Sequence, residues 1–139
     1  MIRVLNRQRR LAVDSRALGT FALSALSQCL KLRQRKLSVL KELTEISVIL
    51  VSDARIAEIH KQFMNELGST DVITFQHGDI VISAETAKRQ ARQFRTNLNH
   101  ELRLYLVHGL LHLSGFDDQT AAGAAEMKHI QERIVRSVS

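Results

Sequence analysis

The sequence predicts an α+β fold in which a single mixed β-sheet of about four strands packs against about five helices. Short β-branched segments alternate with longer segments of helical periodicity, in the order β-α-β-α-β-β-α-α-α, and no proline- or glycine-rich linker divides them. The length of 139 residues, with 45% hydrophobic and 24% charged residues, is enough for one domain with a buried core. We therefore expect a single domain over residues 1–139.

The first third of the chain is predicted to contain a strand, a helix and a polar connection. Residues 2–5 alternate enough for a short strand, and Asp14 or Ser15 is expected to cap the helix that follows. The apolar face of this helix consists of residues at helical spacing: Leu18, Phe21, Ala22, Ala25, Leu26, Cys29 and Leu30. The basic stretch 31–41 is predicted to be a loop or a frayed helix end.

The middle of the chain is predicted to supply the centre of the sheet. Residues 46–51 are almost entirely apolar and rich in β-branched side chains, which indicates a strand buried on both faces. Ser52 or Asp53 is expected to cap a helix with four side chains on one face: Ile56, Ile59, His60 and Phe63. A turn at 68–70 and a β-hairpin over 72–83 are expected to follow.

Three helices are predicted to complete the chain, at about 84–96, 98–114 and 119–136. The first is expected to turn Ala84, Ala87, Ala91 and Phe94 inward and to present a basic outer face of Lys88, Arg89, Arg92 and Arg95. The second is apolar nearly all round, which is typical of a buried helix. No apolar run reaches the roughly 18–20 residues that a membrane-spanning helix needs.

Basic residues are concentrated at the start of the chain. Residues 1–41 contain ten Lys and Arg and one acid, whereas residues 42–139 contain ten Lys and Arg and thirteen acids. This asymmetry favours a surface that faces a polyanion such as nucleic acid, although a run of charge is often only a solvated face. The candidate RNA-binding residues come from the 31–41 stretch and the 84–96 helix: Arg33, Arg35, Lys36, Lys88, Arg92 and Arg95.

The apolar helix also contains a candidate metal site. His108 and His112, four positions apart, lie on one helical face, where two imidazoles can bind one ion. Gly115 is expected to end the helix in a left-handed conformation, so that Asp118 can turn back toward the ion. This H-x-x-x-H-x-x-G-x-x-D spacing is that of the metzincin zinc signature and predicts a zincin-like metal helix. Because Gly109 stands where those proteases have their glutamate base, their peptidase chemistry is not expected.

A purely structural interpretation competes with the metal site. A buried histidine is more often a core residue with a polar partner, and Asp117 or Asp118 is a natural N-cap for the last helix. Two histidines in an otherwise apolar helix, however, would each need a polar partner of their own. This requirement favours the metal.

The segment from His108 to Asp118 resembles the signature of the YbeY family of small, metal-dependent bacterial endoribonucleases, H-G-x-L-H-L-x-G-Y-D-H. It differs only in having Phe116 for the tyrosine and Asp118 for the final histidine. The segments S-T-D-V-I-T-F at 69–75 and G-D-I-V-I-S at 78–83 are similar to the family's T-D-V-L-S-F and G-D-I-x-I-S. The resemblance covers about residues 46–118, and the region before it matches only loosely.

The resemblance implies a YbeY-like domain that binds Zn²⁺ through His108 and His112, with Asp118 substituting for a third histidine. It implies a single-strand endoribonuclease in ribosomal RNA maturation and ribosome biogenesis, with RNA and the ribosome or ribosomal proteins as partners. The family's functional arginine falls at Met64, and its usual lysine falls at Glu66. We therefore expect weak activity, and the sequence identifies no general base.

Two other functions stay open at this point. One is an RNA- or ribosome-binding factor that has little or no catalytic activity and retains a structural metal site, which the loss of the arginine favours. The other is a hydrolase that acts on a different substrate. The single cysteine, Cys29, and the early polar residues at the N-terminus are typical of a cytoplasmic protein with no membrane partner.

Overall fold

The computed structural model describes residues 1–64 and 71–138, apart from the side chain of Met64. Its strands are β1 (Ile2–Asn6), β2 (Ile46–Val51), β3 (Val72–Thr74) and β4 (Asp79–Ser83). Its helices are α1 (Ser15–Lys31), α2 (Asp53–Met64), α3 (Ala84–Gln93), α4 (Leu98–Leu113) and α5 (Ala121–Val138), with a short 3₁₀ turn at Leu40–Glu42. The predicted α+β class and element order are confirmed, whereas the predicted turn at 68–70 lies outside the described residues.

The four strands form one mixed sheet in the order β1-β2-β4-β3. β2 pairs in parallel with β1 and with β4, and β3 pairs antiparallel with β4. A tight turn joins β3 to β4, in which the backbone N–H of Gly78 donates to the carbonyl of Phe75 at 2.9 Å. The hairpin therefore leaves β3 as an edge strand.

The two faces of the sheet carry separate hydrophobic clusters. Alternate residues of β4 point to opposite faces, since Ile80 and Ile82 pack with α1, α4 and α5 whereas Val81 packs with Ile56 of α2. The larger cluster includes the apolar side of α4, as its composition predicts. The helix α4, which carries the candidate histidine ligands, and the helix α2 consequently lie on opposite faces of the sheet.

Some helix boundaries and orientations differ from the predictions. α3 ends at Gln93, so Phe94 is 61% exposed instead of buried, and Arg95 has a left-handed backbone with φ 57° beyond the helix. In α2, Phe63 is 60% exposed even though its spacing from Ile56 and Ile59 predicts a buried position. Among the helices described, none has the length and apolar character that a membrane crossing requires.

Candidate metal centre

The second half of α4 brings two imidazoles together. The Nε2 atoms of His108 and His112 lie 3.0 Å apart, and the two ring planes meet at 81°. Both side chains are partly buried, and burial lowers the pKa of His112. The neighbouring His108 lowers this pKa further, although the carboxylate of Asp118 opposes the shift. Neutral imidazoles are the forms that bind metal ions.

A glycine turn returns the chain from the end of α4 to these histidines. Gly115 has φ 91°, and a Cβ atom there would lie 2.7 Å from the Cβ of Arg35. Only glycine meets both conditions without strain. After this turn, the Oδ2 atom of Asp118 lies 3.5 Å from Nε2 of His108 and 3.8 Å from Nε2 of His112. The three predicted ligands therefore converge.

The competing interpretation of the aspartates as caps for α5 is wrong. The hydroxyl of Thr120 accepts the N–H of Gly123 at 2.9 Å, which places the N-cap at Thr120. Asp117 accepts the N–H of Gln119 at 3.2 Å within the loop. The carboxylate of Asp118 is thus left to face the histidines.

The outer nitrogens of both imidazoles are held by acceptors. Nδ1 of His112 donates to the carbonyl of Phe116 at 3.1 Å, and Nδ1 of His108 lies 2.6 Å from the amide oxygen Oε1 of Gln131. These contacts keep the protons on Nδ1 and leave lone pairs on both Nε2 atoms. Two such lone pairs and a carboxylate repel one another unless a cation joins them. Two imidazoles and one carboxylate are also a normal donor set for zinc, so these residues fit the metal.

Gly109 lies on the side of α4 that packs against the sheet, where it has no access to the cleft. A Cβ atom at this position would lie 2.6 Å from Cγ2 of Ile80. The missing side chain lets the helix approach β4 closely, and no glutamate would fit there. The geometry is consistent with the expectation that metzincin-type peptidase chemistry is absent.

An open cleft of about 480 Å³ runs along the edge strand β3 and contains the three candidate ligands. Its other wall residues come from α2, β3 and the loops: His60, Asp71, Val72, Ile73, Thr74, Gln76 and Gln119. The described part of this wall contains no lysine or arginine. Sequence reasoning missed His60 as a wall residue, and it missed Gln131 as the partner of His108.

Comparison with known proteins identifies the family of this chain. The sequence model for "Endoribonuclease YbeY" matches residues 3–139. The chain belongs to the YbeY family. A YbeY endoribonuclease of Moorella thermoacetica is 37% identical over 86% of this chain and 88% of its own length. A second, from Nautilia profundicola, is 39% identical over 68% of this chain and 73% of its own.

A solved structure also resembles this YbeY-family chain. The solution structure of the protein TM1509 from Thermotoga maritima has 30% sequence identity and a TM-score of 0.60. The match covers 99% of this chain and 89% of the Thermotoga chain. The fold of this chain is therefore shared, over almost its whole length, by a solved protein.

This chain replaces two residues that the YbeY resemblance would place at the site. Asp118 stands where the YbeY signature has a third histidine, and its carboxylate lies close to the Nε2 atoms of both His108 and His112. Met64 stands for the functional arginine, but its side chain lies outside the described residues, as does Glu66. Arg55, a cation in the first turn of α2, is exposed and lies 3.4 Å from Glu58, and it is not among the cleft residues.

The basic residues of the 31–41 stretch lie beside the loop that follows the metal helix. Arg33, Arg35 and Lys36 line a depression together with Phe116. The guanidinium of Arg35 lies 2.6 Å from a carboxylate oxygen of Glu126 and 4.4 Å from the ring centre of Phe116. Arg35 therefore joins this stretch to α5 and to the loop after α4, and all three cations are exposed.

The second basic surface lies away from the centre. Lys88 shares a depression with Leu98, Asn99 and Leu102 at the start of α4. His108 is nine residues beyond Asn99, about 13 Å along the helix axis. Arg92 and Arg95 are exposed, and Arg95 lies outside α3. The structure does not bring Lys88 to the candidate metal centre.

Proposed function

We propose that this chain is a zinc-dependent endoribonuclease that cleaves single-stranded RNA in ribosomal RNA maturation and ribosome biogenesis. The observation that carries the proposal is the convergence of the Nε2 atoms of His108 and His112 with the carboxylate of Asp118, in a cleft open to solvent. The names of the relatives support the ribonuclease activity, since both matched YbeY proteins are called endoribonucleases.

The three ligands would hold zinc, and the chemistry that bound zinc supplies is polarisation of a phosphoryl oxygen and activation of water. The protein's own contribution is orientation. Gln131 and the Phe116 carbonyl hold the two Nδ1 protons, so both Nε2 atoms face the cleft as acceptors. Asp118 adds one negative charge, which makes the site more neutral overall than three imidazoles would. Partial burial lowers the pKa of His112 and so favours its neutral, metal-binding form.

The RNA backbone is expected to contact exposed cations beside the loop that follows α4. Arg33 and Lys36 lie on the stretch that Arg35 fastens beside Phe116, so they are the first candidates for phosphate contacts. Lys88, Arg92 and Arg95 would meet only a longer RNA or a ribosomal partner.

The buried, unpaired Cys29, whose pKa burial raises to about 12, suits a cytoplasmic protein with a stable thiol.

A cleavage assay tests the proposal directly. Protein purified without added zinc is analysed for metal, and single-stranded RNA is then incubated with wild type, His108→Ala and His112→Ala. We expect bound zinc and cleavage in the wild type only, loss of cleavage with a chelator and recovery when zinc is restored. His100→Ala is the matched control, because His100 lies on the same helix but lines a different depression.

Two results would count against this function. Cleavage that survives both metal removal and the histidine substitutions would come from another site or a contaminating nuclease. Stable zinc and tight RNA binding without any cleavage would instead support the binding factor with a structural metal.

A further inference from the structure

Three rings form a continuous ladder next to the cleft. The rings of Phe63 and Phe75 meet edge to face, with centroids 5.3 Å apart and planes at 80°. The ring of His77 stacks on the ring of Phe75, with centroids 5.4 Å apart and planes tilted by only 19°. Both spacings fall within the range of favourable ring–ring contacts.

The ladder has a fixed middle and two exposed ends. Phe75 is partly buried and packs against the apolar cluster beneath α2, which holds its ring in place. Phe63 is 60% exposed, and the side chain of His77 is 66% exposed although one of its faces lies on Phe75. Nε2 of His77 lies 2.9 Å from Oδ2 of Asp79, which fixes the ring plane. The exposed surface of His77 is consequently its outer face and edge.

The rings of the ladder belong to residues that are close in sequence to residues of the cleft wall. Phe75 follows Thr74 and precedes Gln76, both of which line the cleft beside the candidate metal ligands. Phe63 lies one helical turn after His60, another wall residue, and residues three apart share one side of a helix. The ring of Phe75 packs on the α2 side of the sheet, so an RNA strand that leaves the candidate metal centre would cross the β3 edge to reach these rings.

We propose that Phe63, Phe75 and His77 form a stacking platform for unpaired bases of the single-stranded RNA that is cleaved at the adjacent centre. This inference rests on the proposed function. Bases of a single strand stack on aromatic side chains, and each such contact tolerates any base because every base has a π-face. The described cleft wall offers no lysine or arginine to hold phosphates, so stacking would supply part of the binding there.

Packing alone explains only part of this arrangement. The partly buried ring of Phe75 packs against the small cluster beneath α2, as an apolar residue in that position should. The exposed rings of Phe63 and His77 contribute less burial, yet His77 is held flat on the ladder by Asp79. A preordered, exposed ring loses little conformational entropy when a base stacks on it.

The test is binding of a short single-stranded oligoribonucleotide, read by stopped-flow fluorescence anisotropy before cleavage occurs. We expect His77→Ala and Phe63→Ala each to weaken binding by about five- to 150-fold, the usual effect of removing one stacked base. The slope of log affinity against log salt should stay unchanged, because every phosphate keeps its protein partner. His77→Tyr, which keeps an aromatic ring, should retain most of the affinity. Phe94→Ala removes an equally exposed phenylalanine at the end of α3 and should have no effect.

A second probe separates bases from backbone. An oligonucleotide with the same sugar–phosphate backbone but abasic positions should bind wild type more weakly and should no longer distinguish wild type from His77→Ala. If His77→Ala and Phe63→Ala bind intact RNA as tightly as wild type while wild type cleaves it, the platform is refuted and the proposed function stands. If the variants lose base-dependent binding but wild type cleaves nothing, the platform stands and the nuclease assignment fails.

Discussion

The amide oxygen of Gln131 lies 2.6 Å from Nδ1 of His108, and this contact joins α5 to the metal helix α4 across 23 positions of sequence. It holds the imidazole with its proton on Nδ1, so that Nε2 faces His112 and Asp118. The second histidine needs no such side chain, because the carbonyl of Phe116 lies 3.1 Å from its Nδ1. The local turn thus orients His112, whereas the packing of α5 on α4 orients His108.

We expect Gln131→Leu to lower zinc affinity about 10- to 100-fold, which is the usual effect of removing an outer partner of a ligating histidine. Affinity is measured by competition with a chromophoric chelator, and thermal melting reports any change in the fold. Gln131→Glu keeps an acceptor at this position and should preserve tight binding. Glu132→Leu, a substitution at an exposed neighbour, is the control. Equal zinc affinity in wild type and Gln131→Leu would show that His108 needs no partner on α5.

The sequence predicts those parts of the fold and centre that depend on local pattern. The apolar run of β2 and the helical spacing in α4 are local, and so is Gly115, whose positive φ returns the chain to Asp118. The contact of Gln131 with His108 depends on how α5 packs on α4, and no local spacing encodes it. Arg35 illustrates the same limit, because its charge is visible in the sequence but its partner Glu126 is not.

The role of Asp118 can be tested by substitution in two directions. His108→Ala and His112→Ala should abolish zinc binding, whereas Asp118→Ala should weaken it and leave two ligands in place. Asp118→His restores the residue that the YbeY signature carries and should keep or raise zinc affinity. Elemental analysis after dialysis gives the occupancy, with Asp117→Ala as the control at an adjacent loop position. Full occupancy in Asp118→Ala would remove this carboxylate from the ligand set.

Within the basic stretch 31–41, we expect Arg35 to stabilise the fold and Arg33 and Lys36 to contact RNA. Arg35→Ala should lower the free energy of unfolding by about 1 kcal/mol, because it removes the ion pair with Glu126 and the packing on Phe116. Alanine at both Arg33 and Lys36 should leave stability unchanged and flatten the salt slope of RNA binding by about 0.7 for each phosphate that no longer meets a cation. Urea unfolding and salt-dependent anisotropy measure the two effects. An unchanged slope in the double variant would make these cations ordinary solvated surface.

We expect the stability of the protein at low pH to depend on Asp53, whose carboxylate joins α2 to α3. Partial burial raises the pKa of Asp53, but hydrogen bonds from Arg89, Ser83 and Thr86 outweigh it and lower the pKa from 3.8 to about 2. A lowered folded-state pKa means that the stabilisation is complete above about pH 4 and is lost as the pH falls toward 2.

Asp53→Asn should therefore lower the free energy of unfolding near neutral pH by about 1 kcal/mol, a value reduced by solvent screening at this partly exposed pair. The difference from wild type should shrink steadily between pH 4 and pH 2. Urea titrations across this range measure it, and Glu58→Gln, at an exposed ion pair on α2, is the control. A difference that does not change with pH would mean that the charge of Asp53 is not what stabilises the contact.

Met64 occupies the position of the arginine that the YbeY resemblance associates with activity. Phosphodiester cleavage develops negative charge on phosphoryl oxygens, and a positioned guanidinium stabilises that charge whereas a thioether does not. Loss of one such donor commonly costs about 10²–10³ in rate. The described cleft wall contains no lysine or arginine that would replace it. We therefore expect weak cleavage by the wild type and a gain of about tenfold or more in Met64→Arg.

Gln62→Arg is the matched control for this gain. It adds the same charge to an exposed position of the same helix, two residues away, so it reproduces any general electrostatic effect on RNA binding. Thermal melting and zinc content are measured first, because a guanidinium without a partner would destabilise the fold if position 64 were enclosed by apolar groups. Single-turnover cleavage then compares the three proteins. If Met64→Arg folds, binds zinc and cleaves no faster than Gln62→Arg, the rate does not depend on a cation at position 64, and the charge on the phosphate must be stabilised by another group.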